Sequence, residues 1–175
     1  KSIRFTITPK PGSVTRPISV TYSKNYLESR GYLNPTAPQF TLPVFGLYAN
    51  YFNTVVVTYF FMDGSSQQQD VVIPTAAFSD PCGYNNRIVI QARTTSTALS
   101  YDYMLVKTHC STFSPTILDT DGEIRWVGTA GVADFPSTLF QNAVYLATGT
   151  QLYRMEFDGL TSVVASFPGV NFHHN

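Results

Sequence analysis

The chain has 175 residues, of which 43% are hydrophobic, 14% aromatic and only 13% charged, against about 25% charged in an average globular domain. Eleven Lys and Arg balance eleven Asp and Glu to a formal net charge of zero, which argues against a general nucleic-acid binder, whose basic surface must displace counterions from phosphate. No apolar run approaches the roughly 18 residues of a membrane span, and the chain opens on alternating Ile3, Phe5 and Ile7 rather than on a signal peptide.

Such a length suits one large or two small domains, and the wealth of Tyr, Phe, Gly and Pro favours strands and turns over helices. Ile3, Phe5 and Ile7 share one face of a strand. After the turn Pro9-Lys-Pro-Gly12, Ile18, Val20 and Tyr22 share a face of the next, so residues 1–23 read as a hairpin of period two. Residues 24–41 are polar, broken by Gly31, Pro35 and Pro38, and read as a loop. Leu42–Tyr48 is a turn bracketed by Pro43 and Gly46, and Asn53–Met62 is the strongest strand of the chain. Asp63-Gly64 turns it into a partner ending in Val71, Val72 and Ile73. Residues 74–86 form a loop, and Arg87–Arg93 and Tyr101–Lys107 are two further strands.

Short strands at this spacing, with Gly, Pro and Asp turns between them, predict an immunoglobulin-like β-sandwich over residues 1–110. Residues 111–115 then join it to a second region, 111–175, with a different texture. Thr116–Asp119 turns through Asp121-Gly122 into Ile124–Val127. Ser137–Phe140 and Ala143–Ala147 follow, then Leu152–Phe157, which turns through Asp158-Gly159 into Ser162–Phe167. Pro168-Gly169 leads to Val170–His174. Repeated hairpins of this kind predict the first blade of a β-propeller. No helix is expected, beyond a short turn within Ala133–Phe140. A single blade cannot close a propeller, so the chain reads as the truncated N-terminal piece of a larger protein. Its uncovered apolar faces make a homodimer an expected assembly.

Candidate chemical groups are few. Cys82 and Cys110 both sit in turn-like contexts, which favours a disulfide over two buried thiols and, with it, an oxidising compartment. An unstrained bridge would stabilise the fold by about 3–4 kcal/mol. His173 and His174 are adjacent in an expected strand and point to opposite faces, which disfavours their chelating a metal together. His109 reads as structural. Asp119, Asp121 and Glu123 alternate like a cation site but lack the glycine spacing and terminal Glu of a calcium loop, so they read as turn residues. Trp126 reads as core, and Arg125 and Arg154 as surface or packing residues.

Three segments carry a resemblance: Pro43-Val-Phe-Gly-Leu-Tyr-Ala-Asn-Tyr-Phe-Asn-Thr-Val55, Ile117-Leu-Asp-Thr-Asp-Gly-Glu-Ile-Arg-Trp126 and Gly169-Val-Asn-Phe-His-His-Asn175. In order and spacing the chain resembles the bacterial, PAPS-independent, periplasmic aryl-sulfate sulfotransferases. The resemblance implies a small immunoglobulin-like domain packed on a propeller. It implies transfer of a sulfuryl group from a phenolic sulfate donor to a phenol acceptor through a sulfated histidine, with no cofactor. It places that nucleophile beyond Asn175, leaving no catalytic residue in this chain, and gives His174 the role of a sulfate-contacting channel residue. Asn175 stands where the family commonly has Asp. The rival expectation, on composition alone, is an extracellular carbohydrate-binding or adhesin-type sandwich without catalysis, its exposed Tyr and Phe stacking on sugars.

Overall fold

The computed structural model describes residues 1–34, 36, 39–96, 99–107, 115–128 and 137–170. Two compact units divide the chain, Lys1–Ala77 and Phe78–Asn175.

In the first unit, β1 (Ser2–Ile7), β2 (Ile18–Ser23), β3 (Phe52–Phe60) and β4 (Ser66–Pro74) form one sheet in the order β2-β1-β3-β4. Every pairing is antiparallel. The register sets Phe5 beside Val20 and Val57, and Ile7 beside Ile18 and Val55. Period two therefore sorts the side chains into an inner apolar face and an outer polar one. Phe5, Ile7, Tyr22, Val55 and Val57 build the core on the inner face. On the outer face the Thr6 and Ser19 hydroxyls lie 3.0 Å apart, and Arg4 Nε donates to Thr21 Oγ1 at 3.0 Å.

The inner face is covered by a helix and by the extended segment around Leu42–Leu47. Helix α1 (Lys24–Ser29) occupies part of the stretch expected to be loop. It is only six residues long, below the length at which a helical apolar stripe declares itself. Its supports are local: Ser23 Oγ accepts from Tyr26 N at 3.1 Å as N-cap, and Lys24 pairs with Glu28 at 3.3 Å one turn on. Its fully buried anchor is Leu27, set against the sheet, a burial that contributes about 2 kcal/mol, and Tyr26 stacks on Tyr22 at 5.4 Å between ring centroids. Leu42, Val44, Phe45 and Leu47 pack on the same core, with Phe45 meeting Phe5 edge-on at 5.6 Å between ring centroids.

The second unit holds two antiparallel sheets. One has the order β5-β6-β7, from β5 (Tyr103–Val106), β6 (Thr116–Asp119) and β7 (Ile124–Val127). The other is a meander in which neighbours in sequence are neighbours in space, from β8 (Ser137–Phe140) through β9 (Ala143–Thr148) and β10 (Gln151–Met155) to β11 (Thr161–Ser166). Gln141 and Asn142, both at positive φ, make the two-residue link between β8 and β9, the backbone that the twist of a tight hairpin requires. Val144, Leu146 and Met155 form a buried cluster, with Leu105, Trp126, Tyr153 and Phe157 packed against it.

The all-β class holds, and the hairpins expected at 1–23, 53–73, 116–127 and 152–167 are present with small shifts of their ends. Two organisational features differ from expectation. The first compact unit ends at Ala77, not near residue 110, because Tyr103–Val106 pairs with Thr116–Asp119 of the second unit. Arg87–Arg93 is not a strand: its β-branched residues carry the propensity, but among the described residues no neighbouring segment completes a ladder, and Ile88 and Ile90 stand 84% and 97% exposed.

Candidate functional site

Within the first unit, the segment Pro43–Val55 folds around one buried amide. Asn53 is the second residue of β3, and its side chain is wholly buried. Its Oδ1 accepts from Tyr48 N at 2.8 Å, and its Nδ2 donates to the Tyr48 and Tyr51 carbonyls at 3.0 and 3.2 Å. Thr75, just past β4, adds its hydroxyl to the Tyr48 carbonyl at 2.5 Å. A buried backbone turn with no ladder partner must find donors and acceptors elsewhere, and here a side-chain amide, which offers both, supplies them. Lys10 lies over the rings of Tyr48 and Tyr51, at 4.8 and 5.2 Å from their centroids. Gly46 permits the approach: it sits at φ +85°, and a Cβ there would meet Ile18 Cδ1 at 2.3 Å.

In the second unit the polar groups cluster at the β6–β7 turn. Asp119 is fully buried at the end of β6. Its Oδ1 accepts from Asp121 N at 3.0 Å and Glu123 N at 2.8 Å, while Oδ2 takes Arg125 Nη1 at 2.9 Å. Gly122, at φ +82°, closes the turn. Burial pushes the Asp119 carboxyl above its ordinary range, against the pull of the Glu123 N–H and the Arg125 guanidinium. The acidic triplet is therefore a turn, as expected, with Asp119 spent on backbone amides and on Arg125. Among the described residues no group of three His, Cys, Asp or Glu side chains is placed to hold a metal ion. The segment before β5 straps the same turn: Arg93 pairs with Asp102 and donates to Thr120 Oγ1 at 3.0 Å, and Arg87 approaches Glu123 at 3.7 Å.

The remaining candidates resolve as follows. Arg125 is buried against Asp119, and Arg154 is held by Glu156 and Tyr145, each at 2.6 Å. Those contacts hold the Arg154 guanidinium above its ordinary value. Trp126 packs on the second core and donates its indole N–H to the Phe157 carbonyl at 3.1 Å. Cys82 follows a turn built by Asp80, whose carboxylate accepts from Cys82 N at 3.3 Å and from Asn85 N at 2.5 Å. Burial acts to raise the Asp80 carboxyl, but four backbone N–H groups together hold it below its ordinary range. Cys82 is not a free thiol. Its expected partner Cys110, and with it His109, His173, His174 and Asn175, lie outside the described residues.

Residues 1–76 match the family model of the arylsulfotransferase Ig-like domain, and their limit falls one residue from that of the first compact unit. Along nearly its whole length the first unit is similar to the arylsulfotransferase Ig-like domain. Comparison with curated proteins and with solved structures gives no match. The Asn53 clamp and the Gly46 approach are thus internal features of the unit that this family model matches, built from the very segment that carries the sequence resemblance. The role of Asn53 is absent from the sequence reading. Its one visible signal is an amide standing at the head of the apolar run Val55-Val-Val57.

Proposed function

We infer that the protein to which this chain belongs is an aryl-sulfate sulfotransferase and that residues 1–76 serve it as a non-catalytic scaffold. The match of those residues to the arylsulfotransferase Ig-like domain carries the reading. The composition of the unit supports the division of labour. Lys1–Ala77 contains no histidine and no cysteine, so it has neither an imidazole to carry a sulfuryl group nor a thiol to replace it. Its most buried polar side chain, Asn53, is consumed by backbone groups.

In the proposed reaction an imidazole nitrogen attacks the sulfur of a phenolic sulfate ester. The sulfur–oxygen bond to the aryl group breaks, and the phenolate leaves with a proton from an acid in the site. A second phenol, losing its proton to a base, then attacks the sulfohistidine, and the sulfur–nitrogen bond breaks. Donors aimed at the sulfuryl oxygens stabilise the charge that grows there, and His174 is proposed as one of them. The nucleophile is assigned to sequence following Asn175, and the present chain is proposed to be inactive. The consecutive meander β8–β11 fits the reading of residues 111–175 as propeller-type structure, since blades are built of such four-stranded sheets. The periplasmic assignment goes with a Cys82–Cys110 bridge, and titration of the unreduced chain should find no reactive thiol.

The test is turnover of a chromogenic aryl sulfate with a phenol acceptor. The complete reading frame should transfer the sulfuryl group with ping-pong kinetics, and the 175-residue chain should not. Turnover by the chain alone, or none by the complete protein, would overturn the reading.

A further inference from the structure

At one end of the sheet of the first unit, where β1 begins, β3 ends and α1 crosses, the domain leaves a cavity of about 220 Å³. Its walls are apolar, formed in part by Leu27, Leu33, Tyr59 and Phe61. Lys1 and Lys24 line it as well, and both are solvent-exposed. Lys24 gives one donor to Glu28 at 3.3 Å, and an ammonium carries three. The core does not need this gap filled, since Leu27 is already buried.

We propose that this cavity is a binding slot for a monocyclic aromatic anion, a single ring carrying one sulfate or carboxylate. Size, lining and charge each contribute. The volume lies below the roughly 300–1,000 Å³ of sites for drug-sized ligands, which suits one ring and not two. Aliphatic walls and the rings of Tyr59 and Phe61 favour an aromatic face over a sugar or a free ion. The two exposed lysines among the lining, one of them shared with the Glu28 carboxylate at 3.3 Å, favour an anionic substituent held at the solvent edge, where its oxygens keep part of their hydration and the cost of burying charge is avoided. A neutral phenol gains only the ring contact, and inorganic sulfate only the screened ion contact. The choice of a sulfate ester as the natural occupant rests on the sulfotransferase reading; the fit of a ring with an anionic substituent does not. The slot lies in the unit without histidine, so it holds its ligand and does not react with it.

The experiment is a titration of the whole chain by methyl and amide NMR with phenyl sulfate, benzoate, phenol and inorganic sulfate. Phenyl sulfate and benzoate should shift the methyls of Leu27 and Leu33 with a Kd on the order of 1 mM, the range for so small a ligand on a half-open site. Phenol and inorganic sulfate should bind at least about 10-fold more weakly, because each makes only one of the two contacts. Lys1→Gln and Lys24→Gln should each weaken phenyl sulfate about 3-fold, as exposed ion contacts do. Leu33→Trp, which fills the cavity, should abolish the shifts while the spectrum elsewhere stays that of the folded chain. If Leu33→Trp does not fold, the double variant K1Q/K24Q decides. No shift of these methyls at about 20 mM phenyl sulfate, well past saturation of a millimolar site, would overturn the slot. So would phenol binding as tightly as phenyl sulfate, or unchanged titration in the lysine double variant. Binding with no turnover by the complete protein leaves the slot standing and removes the transferase reading; turnover with no binding does the reverse.

Discussion

Replacing Asn53 by Ala removes both halves of the clamp that closes the first unit, and the consequences can be worked out bond by bond. Tyr48 N loses its acceptor at 2.8 Å, and the residue is buried, so no water reaches the freed N–H. An orphaned buried donor costs about 1–3 kcal/mol. The Tyr48 carbonyl keeps the Thr75 hydroxyl at 2.5 Å, and Tyr51 O keeps the Thr75 amide at 3.0 Å, so the acceptor side loses less. That is about 0.5–1.5 kcal/mol for weakened hydrogen bonding. The sum is about 1.5–4.5 kcal/mol, which at about 4–8 °C per kcal/mol for a domain of 60–100 residues lowers the melting temperature by at least about 6 °C. Thr75→Val should cost about 1 kcal/mol, because Asn53 Nδ2 still serves both carbonyls. Thermal melts of the two variants, with hydrogen exchange read at the Tyr48 amide, test the ranking. A fall of under about 4 °C for Asn53→Ala, or a protected Tyr48 amide in that variant, would refute the idea that this side chain organises the segment.

Gly46→Ala should destabilise the first unit by about 1–3 kcal/mol, from a positive φ that a Cβ resists and from the clash with Ile18 Cδ1; a companion Ile18→Val should recover only the clash, and full recovery would show that the backbone angle costs nothing. Arg125→Met leaves the buried Asp119 without its cation and should cost about 3–5 kcal/mol in a denaturant titration; a loss under about 1 kcal/mol would mean that the backbone amides alone satisfy the carboxylate. Carboxyl titration followed by NMR should place Asp119 above and Asp80 below the ordinary value of 3.8. The signs for stability are then opposite: the Asp119 contribution is present below 3.8 and is lost as pH rises through its folded value, whereas the Asp80 contribution is present above 3.8 and is lost as pH falls through its folded value. A reversed order of the two would contradict the hydrogen bonds described. In the complete protein, His174→Ala should lower kcat/KM by about 10²-fold or more, as loss of one donor to a charge-gaining oxygen does, with little change in melting temperature, while His173→Ala does much less; equal small effects would make His174 an ordinary strand residue.

What could be read from the sequence follows from how far each signal reaches along the chain. Phe5, Ile7, Val55 and Val57 announce their strands because period two is written into neighbouring residues. The Asp121-Gly122 and Asp158-Gly159 turns do so because glycine supplies the positive φ locally. Helix α1 stays hidden because six residues with one fully buried side chain, Leu27, make no periodicity. Arg87–Arg93 looks like a strand because propensity does not know whether a partner exists. The pairing of Tyr103–Val106 with Thr116–Asp119, and the division of the chain at Ala77, depend on contacts that no local window contains. The same holds for polar groups. Asp119 is legible as a turn residue but not as the buried partner of Arg125, and nothing in Lys1 or Lys24 alone hints that both edge one apolar cavity.

The placement of these groups bears on how the first unit could serve an enzyme. Its inner face is spent on its own core and its outer face is hydroxyl-rich, with Arg4 over the ring of Phe60 at 5.0 Å. Neither offers a large apolar surface for reaction chemistry. The Asn53 clamp and Gly46 hold the Pro43–Val55 segment in one conformation, which suits a rigid body and not a moving lid. What the unit still has to offer a small molecule is the slot at the sheet end, and a slot of millimolar affinity is empty at low donor concentration and filled only at high. If it communicates with a reaction elsewhere in the protein, the complete enzyme should depart from hyperbolic dependence on aryl sulfate only in that upper range, and Leu33→Trp should restore the hyperbola without changing the initial slope. A departure that survives Leu33→Trp would arise at the reaction site itself and would sever the slot from turnover.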